Sequence, residues 1–104
     1  MAYRVRILPR AEKDLDAIYL RIRAPVSEPA ELWFEGLIQA IHSLSKNPER
    51  CPITSENSQF RHLLCGRGPN VYRILFRIAE KPRRVIIAHI RHGAQKPFIR
   101  SDVN

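Results

Sequence analysis

The strongest constraint on this chain is a change in the spacing of its apolar residues, which falls every second position, then along helical stripes, then every second position again. Tyr3, Val5 and Ile7 alternate with Arg4 and Arg6, the pattern of a half-buried strand running over Tyr3–Leu8. Pro9 is tolerated in the first turn of a helix, and Ala11, Leu15, Ile18, Tyr19 and Ile22 then mark one apolar helical face. Pro25 ends that helix, and Ser27 with Pro29 offers a second start. Trp33, Leu37, Ala40, Ile41 and Leu44 form the next stripe, widened by Phe34 and Ile38 and stopped by Asn47-Pro48. A joint of about four residues folds the two helices into an antiparallel hairpin.

Glu49 to Gln59 has little periodicity and reads as a surface connection. Phe60–Cys65 is a short strand candidate, followed by the turn cluster Gly66-Arg67-Gly68-Pro69-Asn70. In Val71–Ile78 the residues Tyr72, Ile74, Phe76 and Ile78 share one face while Arg73 and Arg77 share the other. Glu80–Arg83 reads as a hairpin loop, and Arg84–His92 as an interior strand rich in β-branched residues, broken by Gly93. The expected fold is α+β: an N-terminal strand, a helical hairpin and a three-stranded antiparallel meander, with the helices on one face of an antiparallel sheet. The 104 residues make one domain, 1–104, with 95–104 as a loose tail.

With the Tyr72 side under the helices, Arg73 and Arg77 project from the open face, and Arg4 and Arg6 can join them. His89 and Arg91, two apart, share a face with each other. Eighteen Lys and Arg against ten Asp and Glu give a formal net charge of +8, and fourteen of the eighteen are arginine. Arginine pairs bidentately with carboxylate and phosphate and stays charged when partly buried. This points to an anionic partner, nucleic acid or an acidic protein segment. Cys51 and Cys65, with His42, His62, His89 and His92, match no metal-ligand spacing, so the thiols are expected reduced and no metal or cofactor is implied. No apolar run is long enough to span a bilayer or to serve as a secretory signal, which places the chain, as an expectation, in the cytoplasm.

The stretch from Arg4 through Pro9, Ala11, Asp14-Leu15 and Ile18-Tyr19 resembles the first strand and helix of the RelE/ParE toxin superfamily, of the plasmid-stabilisation type. Leu37-Ile38-Gln39-Ala40-Ile41 with Asn47-Pro48 resembles its second helix. Tyr72-Arg73-Ile74-Leu75-Phe76-Arg77-Ile78 resembles its third strand, and Ile87 to Gly93 the ending of its fourth. The resemblance covers about Tyr3 to Gly93. It implies the toxin of a type II toxin–antitoxin module, neutralised by an antitoxin with an acidic C-terminal segment. Arg4, Arg6, Arg61, Arg73, Arg77, His89 and Arg91 are then the candidates to bind that antitoxin or nucleic acid.

Two activities follow from the resemblance. A RelE-like toxin cleaves messenger RNA on the ribosome, which needs a proton acceptor, a proton donor and cations around the phosphate. Arg73, Arg91 and His92 are the candidates for that set, with His62 or His92 as an alternative base. The set departs from the pattern, however, with Gln95 after the strand-four glycine and Phe98 in place of a tail tyrosine. A ParE-like toxin inhibits DNA gyrase with no reaction of its own, and the N-terminal helix and the Ile-Arg-His ending resemble this branch more closely. A third reading, a small basic nucleic-acid-binding domain, would need Tyr72 and Phe76 exposed beside the arginines for stacking.

Overall fold

In a computed structural model the described residues are 2–67 and 70–93. Strand β1 (Arg4–Ile7) leads through Leu8 into helix α1 (Pro9–Arg21), with Pro9 in the first turn, where its missing N–H costs nothing. Ile22 closes α1, and Arg23, at φ 62°, turns the chain into a 3-10 turn at Ala24–Val26. Helix α2 (Glu28–His42) begins at Ser27, whose Oγ accepts a hydrogen bond from the Ala30 amide at 3.4 Å. Glu28 and Glu31 lie in its first turn, where the helix dipole favours negative charge. Beyond α2 a 3-10 turn (Ser43–Ser45) carries Leu44, and Asn47, at φ 48°, makes the stop expected of Asn47-Pro48.

Arg50 folds back on that stop, donating to the carbonyls of Lys46 at 2.6 Å and Asn47 at 3.2 Å. It thereby satisfies acceptors that the end of a helical segment leaves without partners. Strands β2 (Arg61–Arg67), β3 (Asn70–Glu80) and β4 (Arg83–His92) follow as an antiparallel meander. Near the end of β2, Gly66 sits at φ +112° in close approach to β3, where a Cβ would stand 2.1 Å from the Asn70 carbonyl oxygen. The tail from Ala94 onward and Gly68-Pro69 lie outside the described residues.

The sheet order is β1-β4-β3-β2, and β1 runs parallel to β4, with Val5 opposite Val85 and Ile7 opposite Ile87. The sheet is therefore mixed rather than antiparallel throughout. Between β1 and β4 the chain passes through both helices and the β2–β3 hairpin, and it re-enters beside β1 in the same direction.

One face of the sheet is covered as the periodicities require. Ala11, Leu15 and Ile18 of α1 and Leu37, Ile41 and Leu44 from the second helical segment pack with Tyr72, Ile74, Phe76, Val85, Ile87 and Ile90. Trp33 sits at the rim of this core, its ring 5.6 Å from that of Tyr72. A smaller cluster of Phe60, Leu75 and Ala88 with Leu8 lies on the opposite side. Because Leu37 is fully buried, Leu37→Ala is expected to destabilise the fold by about 2–5 kcal/mol in denaturant unfolding. A change within about 0.5 kcal/mol would show that the stripe is not core.

Candidate functional site on the open sheet face

The register assigns each basic residue to a side. Arg4 lies opposite Arg84, Arg6 opposite Ile86, and Ile86 in turn opposite Arg77, so these residues share the face away from the helices. Arg4, Arg6 and Arg77 are exposed, and Ile86, flanked in register by Arg6 and Arg77, is buried. At the β1 margin Arg4, Arg6, Arg83 and Arg84 line a groove of about 810 Å³ with Val5 and Pro82. Further along, Arg73 lies opposite Arg91 on the same open face.

Arg61 and His92 go to the other side. Arg61 stands opposite Phe76 in the register, and its Nη1 donates to the carbonyls of Cys51 at 2.6 Å and Glu49 at 3.1 Å. It braces the connection before β2. His92 stands opposite Tyr72 and packs edge-on against that ring at 5.1 Å. Of the residues singled out for RNA cleavage, the fold thus brings Arg73 and Arg91 together and sets His92 across the sheet from them.

A β-bulge shapes the upper half of this face. Leu75 pairs with His89 but Phe76 pairs with Ile87, leaving Ala88 as the extra residue in β4. His89 consequently shares the side of Leu75 and turns to the margin of the sheet beyond the end of β1. There Asp14 of α1 does two things with one oxygen. Its Oδ2 accepts from the Ile90 amide at 2.9 Å, a backbone donor that β1 stops too early to pair, and also from His89 Nδ1.

With Nδ1–H committed to Asp14, His89 Nε2 is the acceptor that faces Arg91 Nη1 at 3.4 Å and Arg10 Nη2 at 3.5 Å. Arg10 also meets Asp14 at 3.6 Å, one helical turn away. Arg91 and His89 are both buried despite their polarity. Their hydrogen bonds offset the desolvation that burial imposes.

The neighbouring arginine is held as firmly. Arg73 forms a bidentate pair with Glu56, Nη1 to Oε2 at 2.6 Å and Nη2 to Oε1 at 2.9 Å, and donates to His62 Nδ1 from Nε at 3.2 Å and Nη2 at 3.0 Å. The Arg73 hydrogen bonds bring the Glu56 carboxyl down to about 2, far below the usual carboxylate range. Burial, and then the adjacent Arg73 charge, lower the His62 pKa, which favours the neutral imidazole that can accept from Arg73. Burial raises the thiol pKa of both Cys51 and Cys65, which disfavours the reactive thiolate. Among the described residues no cluster of His, Cys, Asp and Glu could hold a metal ion, and no helix is long and apolar enough to cross a membrane.

Glu56, Asp14 and Arg10 were not among the residues marked by sequence. Arg10 and Asp14 carried a signal in their i,i+4 spacing on a helix, and Glu56 is the single carboxylate between Glu49 and Glu80. Their partners lie 75 and 17 residues away, in His89 and Arg73, beyond the reach of local periodicity.

A sequence profile described as "ParE toxin of type II toxin-antitoxin system, parDE" matches residues 5–97. The chain belongs to the ParE toxin family. Its fold is shared with a structure titled "Chromosomal ParDE TA system from P. aeruginosa", at TM-score 0.72 and 22% identity, over 88% of this chain and 96% of the other. The toxin–antitoxin complex RelBE2 from Mycobacterium tuberculosis is similar at TM-score 0.61 and 26% identity, over 88% and 99%. No curated protein is significantly similar in sequence. This ParE-family chain is thus a type II toxin of the RelE/ParE superfamily, and its candidate site is a pair of anchored arginines on an open sheet.

The Glu56–Arg73 pair has a pH signature. An acid whose folded pKa lies below its unfolded value stabilises the fold above the unfolded pKa, and that contribution is lost as pH falls through the folded one. The contribution of Glu56 is therefore complete at neutral pH and disappears between about pH 5 and pH 2. Thermal melts across that window should show the native protein losing more stability than Glu56→Gln, and parallel losses would show that the pair is not maintained in solution.

Proposed function

We propose that this ParE-family toxin blocks growth by inhibiting DNA gyrase, and that an antitoxin neutralises it by laying an acidic segment across the open sheet face. The observation that carries the reading is the state of the two central arginines. Arg73 is clamped by Glu56 and His62, and Arg91 is held beside the His89–Asp14 pair, an arrangement that fixes guanidinium groups for recognition of a surface. Proton transfer on an RNA 2′-hydroxyl asks for an acid and a base around the same phosphate. His92, a candidate for that work, lies on the helix side against Tyr72.

The antitoxin half of the reading rests on charge and on likeness. The chain is strongly basic, Arg4, Arg6 and Arg77 are exposed on the face that also carries Arg73 and Arg91, and both similar structures are toxin–antitoxin systems. No cofactor enters this function. A stacking, single-strand-binding surface is disfavoured because Tyr72 and Phe76 are buried on the helix side.

One observation favours a second reading, ribosome-dependent messenger RNA cleavage. His62 Nδ1 lies within hydrogen-bond distance of Arg73 and burial favours its neutral form, a base beside a cation. The two readings separate on induction of the free toxin. We expect growth arrest with translating messages intact and supercoiling by purified gyrase inhibited. New message 5′ ends at codon positions within minutes, lost in His62→Ala or His92→Ala, would overturn the gyrase reading.

A further inference from the structure

We propose that Glu56 is a built-in carboxylate plug for Arg73, occupying the place that an acidic side chain of a bound peptide takes when that face is engaged. The inference rests on the reading of the open face as a dock for an acidic segment, and adds that the dock is closed by the toxin's own chain.

The geometry of the plug is that of a ligand. Two parallel N–H···O bonds of 2.6 and 2.9 Å join the Arg73 fork to both oxygens of Glu56, the arrangement by which arginine recognises a carboxylate from outside. Both side chains are largely withdrawn from water, at 16% and 11% exposure, so the pair is not one of the solvent-screened surface bridges that contribute little.

The segment that delivers Glu56 is organised by short-range bonds. Thr54 Oγ1 donates to the Asn57 carbonyl at 2.7 Å and accepts from the Asn57 amide at 3.2 Å. Asn57 Oδ1 accepts from the Gln59 amide at 2.9 Å, and the Thr54 amide donates to the Phe60 carbonyl at 2.8 Å. Thr54 and Phe60 are buried and anchor the two ends of this turn. Glu56 stands between the anchors and reaches 17 residues along the chain to Arg73. A turn that closes on itself keeps its shape when Glu56 lets go, so the carboxylate can be exchanged without unfolding the loop.

The site around Arg73 suits an exchange of one carboxylate for another. Arg91 lies opposite it on β4, and His62 holds its Nε from below the fork, so the guanidinium stays aimed while the occupant changes. Between Glu49 and Glu80 no other carboxylate occurs in the sequence, so Glu56 is the one acid in the loop-and-hairpin segment that supplies Arg73. An incoming acidic peptide must displace Glu56, and its apparent affinity is reduced by the fraction of molecules in which the plug is closed.

The test is fluorescence-anisotropy binding of a labelled hexaglutamate peptide to the full chain. Glu56→Gln should bind the peptide about tenfold more tightly than the native protein, since the plug is then neutral and no longer held by charge. Glu56→Ala should do the same, which guards against residual hydrogen bonding by glutamine. Glu28→Gln makes the same change of charge on the exposed start of α2 and should produce less than a twofold gain. The gain should vanish in the double variant Glu56→Gln/Arg73→Gln.

Unchanged or weaker binding by both Glu56 variants would overturn the proposal, as would a gain that survives loss of Arg73 or that Glu28→Gln reproduces. A gain for a hexanucleotide of RNA without one for hexaglutamate would overturn the peptide assignment. None of these outcomes depends on toxicity, so a chain that failed to arrest growth would refute the toxin reading and leave the plug to be judged on its own data.

Discussion

The site depends on how one aspartate completes the sheet where β1 ends. Strand β1 stops at Ile7 while β4 continues to His92, so β4 runs on with a bare edge. Asp14, one turn into α1, satisfies the Ile90 amide on that edge and orients His89 with the same oxygen. An unpaired backbone donor there would cost about 1–3 kcal/mol if buried, so the contact serves the fold as well as the face. It also ties α1 to β4 and continues from Asp14 through His89 to Arg91.

The second constraint is electrostatic. Arg73 and Arg91 face each other across β3 and β4, a like-charge juxtaposition that a sheet tolerates only with compensation. Glu56 provides it on one side and the Asp14–His89 pair on the other. The face is thus a charged surface on which Arg73 and Arg91 are already answered from within, while Arg4, Arg6 and Arg77 are exposed. On the proposed reading, the exposed charges would steer an anionic partner toward the protein and the anchored pair would set the register in which it seats.

Much of this was legible in the sequence because both periodicities are clean. The Tyr72-Ile74-Phe76 alternation placed Arg73 and Arg77 on the outer face, and the Leu37-Ile41-Leu44 stripe placed the helix beneath. What strand parity could not supply was the bulge, since one extra residue at Ala88 shifts the pairing of everything before it in β4. Arg61 shows a different limit. It sits in a strand with the right charge, yet its guanidinium serves the Cys51 and Glu49 carbonyls of a connection that has no period to read. Glu56 escaped for the same reason, as a polar residue in a polar loop whose significance lies entirely in a partner on another strand.

In the proposed function the open face meets its antitoxin chiefly through charge. The most direct measurement is the dissociation constant of the toxin–antitoxin complex as salt is raised from low to high ionic strength, for the native protein and for Arg4→Ala/Arg6→Ala/Arg77→Ala. Exposed charges are screened within about 10 Å at 0.1 M salt, so native affinity should fall steadily with added salt, and the triple variant should bind more weakly with a shallower dependence. An affinity indifferent to salt, with the triple variant binding as the native protein does, would contradict the claim and move the antitoxin interface away from this face.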